Sequence, residues 1–171
     1  MIKRLSVLIF IVIIFSCKDN VKTQNEYENN QLSTEQVKIV FYKSPENKQV
    51  EYCERSIEKQ YDTLQKIIYY YNILQENNDT ISYHKNSIYI NSQKLKFLDK
   101  KVFKIGNKNV VIDKYVAHNS LTSTNFYFKD NELVIRKAIT SNIVVEYYNE
   151  NNLKEIHPLV INDSVFFLSA W

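Results

Sequence analysis

The chain has 171 residues, of which 44% are hydrophobic and 24% charged, with one glycine, two prolines and two cysteines. A single glycine, Gly106, cannot supply a GxGxxG dinucleotide turn, a GxxxxGK[ST] phosphate cradle or a GxSxG nucleophile elbow, each of which needs at least two backbone positions free of a Cβ. Two cysteines are too few for a Cys-rich zinc module or a disulfide-dense scaffold, and the length suits one domain with a core of its own.

The amino terminus opens with Met1-Ile2-Lys3-Arg4, followed by an apolar run over residues 5–15 broken only by Ser6, and then Ser16-Cys17-Lys18-Asp19-Asn20. Charge, short apolar stretch and small residue in that order form a secretory signal, and the run is well short of the roughly 20 apolar residues that a membrane-spanning helix requires. A core helix of the domain is the weaker reading, because nothing polar recurs every three to four residues to make the solvated face of a soluble helix.

Ile14-Phe15-Ser16-Cys17 resembles the lipobox of bacterial lipoproteins, with Phe15 bulkier than the residue usual at its position. The resemblance covers the first 17 to 20 residues. It implies cleavage between Ser16 and Cys17, a diacylglyceryl thioether on Cys17, and an N-acyl group such as palmitate on the new amine. No other cofactor is expected. Two or more acyl chains anchor a protein stably, at about 0.8 kcal/mol per buried methylene. Lys18-Asp19 is similar to the Lys-plus-acid export signal of surface lipoproteins of the Bacteroidota, with Asn20 replacing the second acid. The implied location is the outer membrane, lipid-anchored, facing the periplasm or the cell surface. The signal takes with it two of the 22 bases, Lys3 and Arg4, and none of the 19 acids, so the mature charge is about +1. A nearly neutral domain lacks the basic footprint of a nucleic-acid binder.

Residues 1–16 are therefore expected to be a removed signal, residues 17–36 a lipidated cysteine and flexible tether, and residues 37–171 one globular domain. The tether has only Val21, Tyr27 and Leu32 as apolar residues, too few to offset its ordering entropy, and reaches about 25 Å. Residues 37–42 read as a strand. Val50, Cys53, Ile57, Tyr61, Leu64, Ile68 and Tyr71 recur at spacings of three and four, which predicts an amphipathic helix over 50–66, while 67–76 are open to helix or strand. Beyond residue 78, short apolar stretches alternate with polar turns: 80–83, 87–90, 94–98, 102–105, 110–116, 125–128, 133–139, 143–148, 159–161 and 165–168. Asn91-Ser92, Asp130-Asn131 and Asn162-Asp163 tolerate left-handed geometry and can turn a chain that has almost no glycine. The predicted class is α+β, mainly antiparallel β: a meander or curled sheet with one amphipathic helix near the start of the domain.

Sites of chemistry are sparse. His84, His118 and His157 show no metal-ligand spacing, so no metal site is expected. Asp113, His118 and Ser120 include the residue types of a triad, but triads are defined by geometry. Cys53, left without a partner once Cys17 is lipidated, is expected to be a buried core thiol. The runs Tyr69-Tyr70-Tyr71 and Tyr147-Tyr148 suit strands better than a binding platform, in a chain where Asn, Lys, Ile and Tyr supply 72 residues. Asp62-Thr63-Leu64, Asp79-Thr80-Ile81 and Asp163-Ser164-Val165 resemble the Asp-[Ser/Thr]-aliphatic acceptor for O-glycosylation in the Bacteroidota, which implies modification at Thr63, Thr80 or Ser164. The same residues are also ordinary turn-into-strand chemistry.

No catalytic motif is present, and the expected function is a non-catalytic, membrane-tethered binding or interaction module, with an envelope or surface protein as partner. One alternative is a carrier or chaperone for lipid or another apolar ligand, with a cavity lined by Val111, Tyr115, Phe128 and Val134. Immunity-type lipoproteins and enzymes without a recognisable motif are further alternatives.

Overall fold

The computed structural model describes residues 31–60, 64–71, 78–118, 122–149 and 154–168. The expected signal, Ser16, Cys17, the first part of the tether, Thr63 and Ser120 lie outside them. Eleven strands run in chain order: β1 (Gln31–Tyr42), β2 (Gln49–Gln60), β3 (Leu64–Tyr71), β4 (Asp79–His84), β5 (Ser87–Ile90), β6 (Gln93–Lys94), β7 (Lys96–Ile105), β8 (Lys108–His118), β9 (Ser123–Lys129), β10 (Glu132–Ala138) and β11 (Ile143–Tyr148). Among the described residues two short helices follow, α1 (Ile156–Asn162) and α2 (Ser164–Leu168).

All strand pairs are antiparallel, and the sheet order is β6-β5-β4-β3-β2-β1-β11-β10-β9-β8-β7. Every neighbour is a neighbour in sequence except β1 and β11, so the fold is a meander whose first strand pairs with its last. The sheet is one nearly closed surface, with its seam between β6 and β7. Gln93 of β6 spans that seam, its side chain donating to the His118 carbonyl of β8, while the Leu95 amide continues the β5–β6 pairing by donating to the Ile88 carbonyl at 2.8 Å. Asn91-Ser92 and Asp130-Asn131 turn the chain as expected, whereas Asn162-Asp163 joins the two helices. Lys85, Asn91, Ser92, Asp130, Asn131 and Asn142 all have positive φ, and the lone glycine, Gly106, turns β7 into β8 at φ 57°.

Strand alternation divides the apolar residues between two cores. Inside the curled sheet lie Val37, Ile39, Cys53, Ile67, Tyr69, Ile81, Tyr83, Phe126, Phe128, Val145 and Tyr147. On the outer face of β1 and β7–β11, Val40, Phe103, Ile112, Tyr127, Ile135 and Val144 are covered by Ile156, Val160, Phe166 and Phe167 of the helices. Bulges at Phe97/Asp99 in β7 and Leu133/Ile135 in β10 bend those strands.

Three expectations are corrected. In place of the helix predicted over 50–66, residues 50–60 lie in β2 and 64–66 begin β3, with 61–63 outside the described residues. Its three- and four-residue spacing arose because Arg55 occupies an inward position between Cys53 and Ile57, while Val50 and Tyr52, 52% and 57% exposed, point outward. Conversely, the strands predicted over 159–161 and 165–168 lie in helices. Pro158 sits in the first turn of α1, where its missing N–H costs nothing, and Asp163 caps α2 by accepting the Phe166 amide at 3.0 Å. Finally, β1 begins at Gln31, inside the stretch assigned to the tether, because residues 31–36 pair with β2. Among the described residues no helix is long and apolar enough to cross a membrane.

Candidate functional site

One end of the curled sheet is formed where β4, β9 and β11 begin and β5, β8 and β10 end. A cavity of about 250 Å³ opens there. Its apolar lining is Ile90, Ala117, Phe126, Ala138, Ile143 and Val145, and its polar lining is Asp79, Asn91, Gln93, Thr122, Thr124 and Arg136. Arg136 on β10 donates to Asp79 Oδ2 at 2.5 Å across the interior. Asn91 donates to Asp79 Oδ1 at 3.1 Å while its own Oδ1 accepts the Thr80 amide at 2.8 Å. The acid is thus fixed by two donors on rigid elements. Arg136 is the more exposed partner, at 32% against 14%, so the cationic end of the pair faces the opening.

Deeper in the interior a second ionic cluster is packed in. Arg55 on β2 is paired in register with Glu35 on β1 and Tyr69 on β3, forms an ion pair with Glu35, and lies 3.6 Å from Glu132. Burial pulls its pKa down, but Tyr69, Glu35 and Glu132 outweigh burial and hold it above the ordinary value. Asn149 in turn donates to Glu132, and the Tyr83 hydroxyl donates to the Asn131 carbonyl. Cys53 is wholly buried beside this cluster. Burial pushes its thiol up to about 12, which leaves it protonated and unreactive at neutral pH.

On the outer face the buried cations are met differently. Lys114 is fully buried, donates to the Phe166 carbonyl at 2.6 Å and lies over the rings of Tyr127 and Phe166. Burial lowers its pKa to about 8. Lys137 is 4.3 Å from the Phe167 ring centroid, and the Tyr127 hydroxyl donates to the Phe167 carbonyl at 2.7 Å. These groups tie α2 to the sheet.

The residues singled out in sequence are scattered. His84 is exposed at the end of β4, His118 ends β8 and bonds Ser123 at 2.8 Å, and His157 is buried in α1 against the Tyr147 carbonyl. No group of three or more His, Cys, Asp and Glu side chains that could hold a metal lies among the described residues. Asp113 and His118 share β8 but point to opposite faces, Asp113 toward Lys100 of β7. Tyr69 and Tyr147 pack edge to face inside the sheet, 5.2 Å apart, while Tyr70 is exposed. Thr80 is half-buried on β4 and Ser164 is exposed at the start of α2. Their preceding aspartates have structural partners, Arg136 for Asp79 and Lys101 for Asp163.

The cavity expected between Val111, Tyr115, Phe128 and Val134 is not formed by those residues. Tyr115 and Phe128 fill the interior edge to face, 5.6 Å apart, Val111 is 39% exposed on the projecting part of β8, and Val134 belongs to the β10 bulge under the helices. Sequence reasoning missed the residues that do line the cavity. In the sequence Asp79 stands out only as part of a modification motif, and its partner Arg136 lies 57 positions away. No protein-family model matches the chain, and no curated protein matches it.

Proposed function

We propose that the protein is a lipid-anchored outer-membrane lipoprotein, processed at Ser16 and Cys17, whose curled sheet serves as a non-catalytic binding module. It takes a small, mainly apolar molecule with an anionic end into the mouth of the sheet. The observation that carries this reading is the open cavity of about 250 Å³, half apolar in its lining, with Arg136 presented toward the entrance. A concave site with a few fixed polar groups suits a small ligand better than a flat protein surface does. Apolar walls remove the ligand's tail from water at about 25 cal/mol per Å², and Arg136 orients its head. The carrier reading is the form of this module in which the ligand is later released.

Octanoate is a direct probe. The full chain should bind it in calorimetric titration, and both Ala117→Trp, which fills the cavity, and Arg136→Leu should weaken binding at least about tenfold. Equal binding by Ala117→Trp, or none by the native chain, contradicts the proposal. Cys17→Ala tests the anchor separately, because it should move the protein from the membrane to the soluble fraction without changing octanoate affinity.

A further inference from the structure

A second concavity, of about 320 Å³, lies on the outer face between the ends of β1 and β11 and helix α1. Its lining includes Tyr42, Lys48, Glu146, Tyr148 and Lys154, closed by Pro158 and Ile161 of α1. Glu146 on β11 is 2% exposed and forms the floor. Its Oε2 accepts the Tyr148 hydroxyl, and the Tyr42 hydroxyl also bonds to this carboxylate. Among the described residues its Oε1 is buried without a hydrogen-bond partner and forms one ion pair, a long one, to Lys48 Nζ at 3.6 Å. The Lys48 ammonium meanwhile sits 4.7 Å from the Tyr42 ring centroid. Tyr148 is braced from behind by His157, stacked at 4.1 Å.

A carboxylate oxygen with no donor, at the floor of a site walled by two tyrosines, is a receptor for an ammonium group. Lys48 fills that role imperfectly. Its side chain is 47% exposed and it belongs to the connection between β1 and β2, so it can withdraw at little cost. When it withdraws, it and Lys154 leave two cations at the rim above one buried acid. That arrangement matches a ligand bearing both charges.

We propose that this groove binds a small zwitterion, a primary ammonium with an anionic group a few bonds away. The ammonium displaces Lys48, donates to Glu146 Oε1 and lies between Tyr42 and Tyr148. Lys48 and Lys154 then hold the anionic group. The chemistry is that of an aminoalkyl phosphate, either free or as a lipid headgroup.

The test is calorimetric titration of the full chain with O-phosphoethanolamine, n-butylammonium and n-butanol. O-phosphoethanolamine should bind the native protein more tightly than n-butylammonium, and n-butanol should not bind. Lys48→Ala, which removes the resident competitor, should bind n-butylammonium several-fold more tightly than the native chain does. Glu146→Gln should weaken both cationic ligands by about tenfold or more. Binding of n-butanol as strong as that of n-butylammonium overturns the proposal without reference to any variant, and so does unchanged n-butylammonium affinity in Lys48→Ala. Vesicles separate the two sources: retention on phosphatidylethanolamine but not on phosphatidylcholine assigns the headgroup, and binding of O-phosphoethanolamine alone assigns the free zwitterion.

Discussion

The two faces of the sheet solve the same problem, a cation packed against the sheet, in different ways. Inside, Arg55 and Arg136 are each met by carboxylates, Glu35 and Glu132 for the one and Asp79 for the other. Outside, Lys114 and Lys137 are met by helix carbonyl groups and aromatic rings. Carboxylates hold a cation charged and in place; carbonyls and rings leave the cost of desolvation only partly offset, which is why burial lowers the pKa of both lysines. The interior can therefore present a charged group to a cavity, whereas the outer cations serve to fasten the helices.

Breaking the interior pairing should cost most. Arg55→Ala leaves Glu35 and Glu132 facing an apolar core and should lower unfolding stability in urea by about 3 kcal/mol; a loss below about 1 kcal/mol would mean those acids are effectively solvated. Arg136→Leu removes the cationic partner of Asp79 at the cavity wall while its bond from Asn91 is kept, and the expected loss is about 2 kcal/mol.

The outer face should reveal itself through pH. Lys114 titrates near 8 when folded against 10.5 for the free side chain, so between those values the unfolded chain holds a proton that the folded chain has lost. Stability contributed by this group therefore rises with pH across that window, by at most about 1.4 kcal/mol per unit. Above pH 10 the buried phenols of Tyr69 and Tyr127, whose pKa values burial raises, work in the opposite direction. The difference in stability between the native chain and Lys114→Met isolates the lysine, and a difference independent of pH from 8 to 10 would refute the assignment. The smallest effect is at the helix cap. Asp163→Ala removes the acceptor for the Phe166 amide and the partner of Lys101, for a loss of about 1 kcal/mol in thermal unfolding.

Much of the meander was legible because β4 and β5 alternate, β8–β11 are short runs rich in β-branched and aromatic residues, and polar turns separate them. The element read wrongly, β2, fails at the residue that makes the interior polar. Arg55 stands where alternation demands an apolar side chain, and the acids that justify it come from β1 and β10. Residues 159–161 and 165–168 carry the β-branched and aromatic composition of strands, so only Pro158 and the Asp163 cap signalled helix. The cavity was illegible for a different reason. Its ion pair joins β4 to β10 through closure of the sheet, and no local spacing records that closure.

The central claim is that the mouth of the sheet holds a ligand in the cell. Native mass spectrometry of the full protein isolated from its native host tests it most directly. The account predicts a small-molecule adduct on the native chain, released on activation and missing from Ala117→Trp. An adduct retained by Ala117→Trp, or a native chain without a releasable small-molecule adduct, would contradict it.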